Sequence, residues 1–168
     1  MNPFAWSFRA QFASGAALCL GLLAYALYVQ HGMFMMPCPL CILQRVAFVG
    51  MAVFFLLGAL IGPRPTWWRK LASLGVAASA AFGTGIAIWH LYIQNLPPSE
   101  VPSCTGMDLS YMLDTFPLQK TIEKIFTPSG DCALVDWSFL GIAMPGWTLL
   151  WYLILGGAAL WAGFRKRP

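Results

Sequence analysis

Charge is scarce in this chain. Lysine, arginine, aspartate and glutamate together supply 10% of the 168 residues, against roughly 25% in soluble domains. The acids are the rarer sign: all six (Glu100, Asp108, Asp114, Glu123, Asp131, Asp136) fall in one stretch, and everything before Glu100 is free of them. Almost no charge is left to line a polar path across a membrane, which argues against a channel or transporter subunit. There is no glycine-rich phosphate loop, no hydrolytic triad and no basic patch suited to nucleic acid. The net charge of +4 is accounted for by short basic flanks.

Apolar sequence fills the space that charge leaves. Hydrophobic residues make up 59% of the chain, so it reads as a single membrane domain, a small helical bundle with loops, with no second domain visible. Four runs are long enough to span a bilayer, which takes about 20 predominantly apolar residues. Ala13 to Val29 is uncharged. Val46 to Ile61 is uncharged and reaches spanning length if Ile42 to Arg45 form its first turn, which puts Cys41 at a helix start. Leu71 to Ile93 has His90 as its one side chain able to carry charge near neutral pH, and Trp147 to Phe164 has none. The expected spans are about 12–30, 42–61, 70–93 and 146–164, with loops at about 31–41 and 94–145, in an all-α four-transmembrane-helix bundle.

Basic residues orient the spans. Arg9, then Arg64, Arg69 and Lys70, then Arg165, Lys166 and Arg167 flank the runs on the side expected to be cytoplasmic. The acidic stretch then faces outward, and both termini lie inside, as an even number of crossings requires. The first run is read as an uncleaved anchor and not a signal peptide, because its removal would break that parity. Pro117 to Phe126 places Leu118, Ile122, Ile125 and Phe126 at helical spacing with charged residues between, a short amphipathic helix of the second outer loop. It either packs on the bundle end or lies flat in the headgroup region. Trp67, Trp68, Trp147, Trp151 and Trp161 suit interface or lipid-facing positions.

Four of the five cysteines fall on the outer side, where disulfides persist if that side is a bacterial periplasm. Cys38 and Cys41 form a C-x-x-C pair at the mouth of the second run. Its closed ring is too small to gain much from loop entropy, and a thiol at a helix N-terminus is favoured as thiolate by unsatisfied N–H groups. Such a pair is built for exchange. Cys104 and Cys132, far apart in a polar loop, are read either as a structural staple or as a relay, since Pro97, Pro98, Pro102 and Gly106 on one side and Pro128 to Asp131 on the other punctuate segments able to swing. Cys19, between Leu18 and Leu20, reads as a small buried hydrophobe. A structural zinc site of four thiolates is the rival; the second pair lacks C-x-x-C spacing, and an oxidising compartment disfavours free thiolates.

Arg45 is either an outer-interface anchor or, at i+4 from Cys41 and so on one helix face with it, a stabiliser of the Cys41 thiolate and a donor to the carbonyl oxygen of a bound small molecule. His90, near the outer end of the third run, is either an interfacial or buried, satisfied histidine or a partner of Arg45 in a polar pocket.

Together Cys38-Pro39-Leu40-Cys41-Ile42-x-x-Arg45, the later cysteine pair, Gly130-Asp131-Cys132, Trp137-x-Phe139-Leu140-Gly141 and Met144-Pro145-x-Trp147 resemble the bacterial disulfide bond formation protein B (DsbB) family over nearly the whole chain. The resemblance implies an enzyme of the bacterial inner membrane that reoxidises a periplasmic thioredoxin-fold dithiol oxidase, DsbA-like, and passes the electrons to ubiquinone or menaquinone. It implies that Cys104 takes the partner's attack and Cys132 is released, that Cys38 accepts electrons from the loop pair, and that Cys41 reduces the quinone. It assigns quinone contacts to Arg45 and His90 and calls for no metal. A strongly oxidising soluble partner needs a terminal acceptor stronger than a glutathione-like pool, a need that a lipid-soluble quinone meets.

Overall fold

The computed structural model describes residues 7–32, 38–63, 65–97 and 138–165. Cys104, Cys132 and the amphipathic segment Pro117 to Phe126 lie outside the described residues. Among the described residues four helices carry the fold: α1 (Phe8–Gly32), α2 (Pro39–Ile61), α3 (Thr66–Gln94) and α4 (Met144–Phe164). At 25, 23, 29 and 21 residues, each is long and apolar enough to cross a membrane. Sequence neighbours α1–α2, α2–α3 and α3–α4 pack extensively, whereas α1 and α4 touch only lightly. The protein is a four-helix membrane bundle.

All four helices run past their expected bounds. α2 begins at Pro39, not at Ile42, because Cys38 serves as its N-cap and proline suits the first helical position, where no N–H is needed. α3 takes in Thr66 to Lys70, following the extended Pro65. The added turns put basic and aromatic side chains on the ends of helices whose middles are apolar.

Large apolar side chains cover the outside as well as the inside. Leu60, Leu153 and Ile88 are 70%, 59% and 55% exposed, a pattern that lipid satisfies and water does not. The core is aromatic and small by turns. Phe8 stacks on Phe12 with centroids 4.1 Å apart, Phe12 meets Phe55 edge-on at 5.2 Å, and Phe48 stacks on Tyr152 at 4.4 Å. Glycine makes room for these rings. A Cβ at Gly58 would lie 2.3 Å from Phe12, and one at Gly83 2.4 Å from Tyr152, so each ring packs directly on backbone of a neighbouring helix. Cys19 is fully buried in the same core.

At the end where α1 starts, Arg9 donates from Nε to the Ala59 carbonyl at 2.9 Å and from a terminal nitrogen to the Leu60 carbonyl at 2.6 Å. These are carbonyls of the last turn of α2, which has no intrahelical donors left for them. Lys70 and Arg165 lie over the rings of Phe164 and Trp161 at 5.9 and 4.7 Å. Both described chain ends belong to this basic end.

Among the described residues one hairpin departs from an all-helical expectation. β1 (Ser138–Phe139) and β2 (Ile142–Ala143) pair antiparallel, Ser138 with Ala143 and Phe139 with Ile142. Leu140 and Gly141 turn the chain with φ of 52° and 77°, the positive values of a two-residue type I′ hairpin. Leucine there is unusual, and the pair carries no Asn-Gly or Asp-Gly signal. The hairpin leads straight into α4, whose second residue is Pro145.

Candidate functional site

The C-x-x-C pair forms the start of α2 itself. Cys38 is extended (φ −68°, ψ 161°) and caps the helix with its sulfur, which accepts from the Cys41 N–H at 3.4 Å. Serine or aspartate oxygen more often holds this position. The Sγ atoms of Cys38 and Cys41 are 3.1 Å apart, a modest side-chain rotation from the roughly 2.05 Å of a disulfide bond. Both are half-buried, and Cys38 packs with Leu43 and Trp89 against the small apolar cluster of Leu40, Ile86 and Ile93.

α3 brings His90 to the pair. The residue is 3% exposed, with Nε2 3.8 Å from the Cys38 sulfur. The three ligand atoms of Cys38, Cys41 and His90 all lie within 4.8 Å of one another. On the far side of the ring, Nδ1 is 3.3 Å from the amide nitrogen of Gln44.

Gln44, one helical turn after Cys41, joins three helices. Its Oε1 accepts from the Thr148 hydroxyl of α4 at 2.9 Å, and its backbone carbonyl accepts from the Tyr152 hydroxyl at 2.7 Å. Only 3% of Gln44 is exposed, and leaving such a buried amide unpaired costs about 1–3 kcal/mol. The bonds also set direction. With the amide NH2 facing His90, Nδ1 is the acceptor and the ring proton sits on Nε2, aimed at the Cys38 sulfur. A chain of donors therefore runs from Thr148 through Gln44 and His90 to Cys38, favouring negative charge on that sulfur.

Arg45 takes a different direction. Its guanidinium bonds the Gln30 side chain and, at 3.2 Å, the Ala26 carbonyl, both on α1. Thus Cys38, Cys41 and His90 come together, and Arg45 ties the same turn of α2 to α1. Cys104 and Cys132 are outside the described residues. Sequence reasoning passed over Gln44, Thr148 and Tyr152; the available signal was an uncharged polar side chain inside a membrane-length run, which a count of charges alone does not register.

Comparison with known proteins identifies the family. Residues 8–162 match the family described as disulfide bond formation protein DsbB. The chain is 48% identical over 167 residues to the disulfide bond formation protein B of Xanthomonas axonopodis pv. citri (strain 306), covering 99% of this chain and 96% of that one. The protein of the same name from Xylella fastidiosa (strain 9a5c) is 39% identical over 171 residues, covering 100% and 98%. With a dithiol built into the first turn of a membrane-spanning helix, and relatives matching along its whole length, the chain belongs to the DsbB family of disulfide bond formation proteins.

Proposed function

We propose that this protein reoxidises a DsbA-like periplasmic dithiol oxidase and passes two electrons through two cysteine pairs to membrane quinone. The observation that carries this reading is the Cys38–Cys41 pair, 3.1 Å apart, at the N-terminus of a membrane-spanning helix beside His90. Thiols at that position can exchange with a soluble protein on one side and meet a lipid-dissolved oxidant on the other.

The relay balances. The partner's thiolate attacks Cys104 of a Cys104–Cys132 disulfide and expels Cys132; the partner's second thiol then completes its own disulfide and releases the loop pair reduced. A loop thiolate attacks Cys38 of the Cys38–Cys41 disulfide, expelling Cys41, and the loop pair closes again. Cys38 and Cys41 return to the disulfide as two electrons and two protons pass to the quinone, with Cys41 facing it. His90 Nε2–H donates to the Cys38 sulfur as it gains charge. Arg45, held by α1, is the proposed donor to a quinone carbonyl, since a guanidinium has more N–H groups than its two contacts use. The loop cysteines face the periplasm and both termini the cytoplasm, a reading supported by the basic and aromatic end of the bundle.

The test is to add reduced partner oxidase and a short-chain ubiquinone or menaquinone to purified protein and follow quinone absorbance. Stoichiometric quinone reduction that Cys41→Ser abolishes supports the proposal. Partner oxidation with no change in the quinone rejects it. Reporters fused after Lys70 and inserted near Ser110 should fall on opposite sides of the membrane.

A further inference from the structure

We propose that the reduced Cys38–Cys41 dithiol and His90 form a binding site for a thiophilic divalent cation of the zinc class, which holds the inner pair in its reduced state. The inference rests on reading that pair as redox-active, because only its dithiol form can supply both sulfurs.

Geometry comes first. The two Sγ atoms and a ring nitrogen all lie within 4.8 Å of one another, and they come from two helices that pack along their length. Tetrahedral zinc, with Zn–S near 2.3 Å and Zn–N near 2.0 Å, sets sulfurs about 3.8 Å apart and sulfur and nitrogen about 3.5 Å apart. The observed separations are 3.1 Å between sulfurs and 3.8 Å from Cys38 to His90. Side-chain rotations bridge differences of that size. Two cysteines and one histidine leave a fourth position for water, the pattern of an exchangeable rather than a closed site.

Charge selects the class of cation. Two thiolates cancel a divalent ion, so the filled site is neutral at a membrane edge, where net charge is costly. A monovalent soft ion would leave one negative charge behind. The polar network around His90 accommodates the change. A ring bound through Nε2 carries its proton on Nδ1 and needs an acceptor there. Thr148 already has a second acceptor, the Pro145 carbonyl at 2.9 Å. If its hydroxyl donates there, the Gln44 amide can turn over, donate to Thr148 and offer Oε1 to Nδ1–H, so the same three side chains serve both ring states.

Binding displaces two thiol protons and moves no electrons. Disulfide formation removes the ligands, so the cation and the oxidant compete for one pair. Each tenfold excess of cation over its dissociation constant raises the pair's potential by about 30 mV and slows its return to the disulfide.

The experiment uses the full chain with Cys104→Ser and Cys132→Ser, which removes the loop thiols. Zinc is titrated against a chromophoric chelator, and cobalt is used for its thiolate charge-transfer and visible absorption. One equivalent bound to the reduced protein, none to the oxidised protein, and at least tenfold weaker binding in both His90→Phe and His90→Gln with no change in His31→Gln are the expected results. Binding that persists after oxidation, or that neither His90 variant weakens, overturns the proposal, as does the absence of binding at micromolar zinc. Quinone-linked turnover of the native chain in chelator is measured in parallel. Turnover without zinc binding refutes the metal site alone, whereas zinc binding without turnover refutes the quinone reading and leaves the site standing.

Discussion

The two ends of the bundle are built from opposite materials. At the basic end, Arg9 closes the last turn of α2, Lys70 and Arg165 rest on aromatic rings, and Phe8 and Phe12 fill the space between α1 and α2. At the other end, two sulfurs, an imidazole and an amide occupy the junction of α2, α3 and α4. Each end has an arginine linking α1 and α2: Arg9 reaches from α1 to α2, and Arg45 from α2 to α1. The polar end adds groups that mere helix closure does not require. A buried amide and histidine have to be bonded to be tolerated in an apolar bundle, and here their bonds converge on Cys38. The helix-closing contacts and the proposed redox site thus lie at opposite ends of the bundle.

Substitutions can test that separation. The largest effect belongs to Cys41→Ser, which should reduce quinone-linked turnover to the uncatalysed background while leaving helix content by circular dichroism unchanged. His90→Phe should slow the inner-pair step by about a hundredfold, the lower range for loss of a positioned proton-transfer or hydrogen-bonding group; single-turnover reoxidation of the reduced pair by quinone measures it. Gln44→Leu should lower the same rate by about tenfold, equivalent to one hydrogen bond of about 1.4 kcal/mol, and an unchanged rate would detach the amide from the chemistry. Gly58→Ala, at the basic end, presses a methyl group onto Phe12 and should cost about 1–3 kcal/mol of stability with turnover per folded molecule intact, read from thermal unfolding in detergent beside the rate assay. Smallest is Arg9→Met, which loses two exposed hydrogen bonds and should cost about 1 kcal/mol with no kinetic change. A kinetic defect in either basic-end variant would show the ends to be coupled.

The helices were legible because lipid imposes length and composition on them, and Val46 to Ile61 and Trp147 to Phe164 advertise both. Their starts were less so. Pro39 looked like part of a loop until Cys38 was seen to cap the helix, since capping depends on backbone angles that composition does not encode. The hairpin at Ser138 to Ala143 escaped notice because Leu140-Gly141 lacks the usual turn residues. Within the site, spacing alone picked out Cys38 and Cys41. His90 stood out as the one side chain of its run able to carry charge near neutral pH, yet its neighbour could not be chosen without the packing of α3 on α2. Arg45 shows the same limit from the other side. The face it shares with Cys41 also borders α1, and only the fold reveals that its guanidinium bonds Gln30 and Ala26.

If the pair cycles as proposed, the cap at Cys38 ties the beginning of α2 to its redox state. A thiolate at that sulfur is a strong acceptor for the Cys41 N–H, and the same sulfur in a disulfide is a weak one. Oxidation would exchange that hydrogen bond for a covalent link between the same two residues, so exchange rates of the first-turn backbone amides should differ between the two states. The same logic grades the choice of variant. Serine at position 38 keeps an oxygen where the cap needs an acceptor, whereas alanine removes redox chemistry and helix start together; comparing the two separates the electron carrier from the fold that presents it.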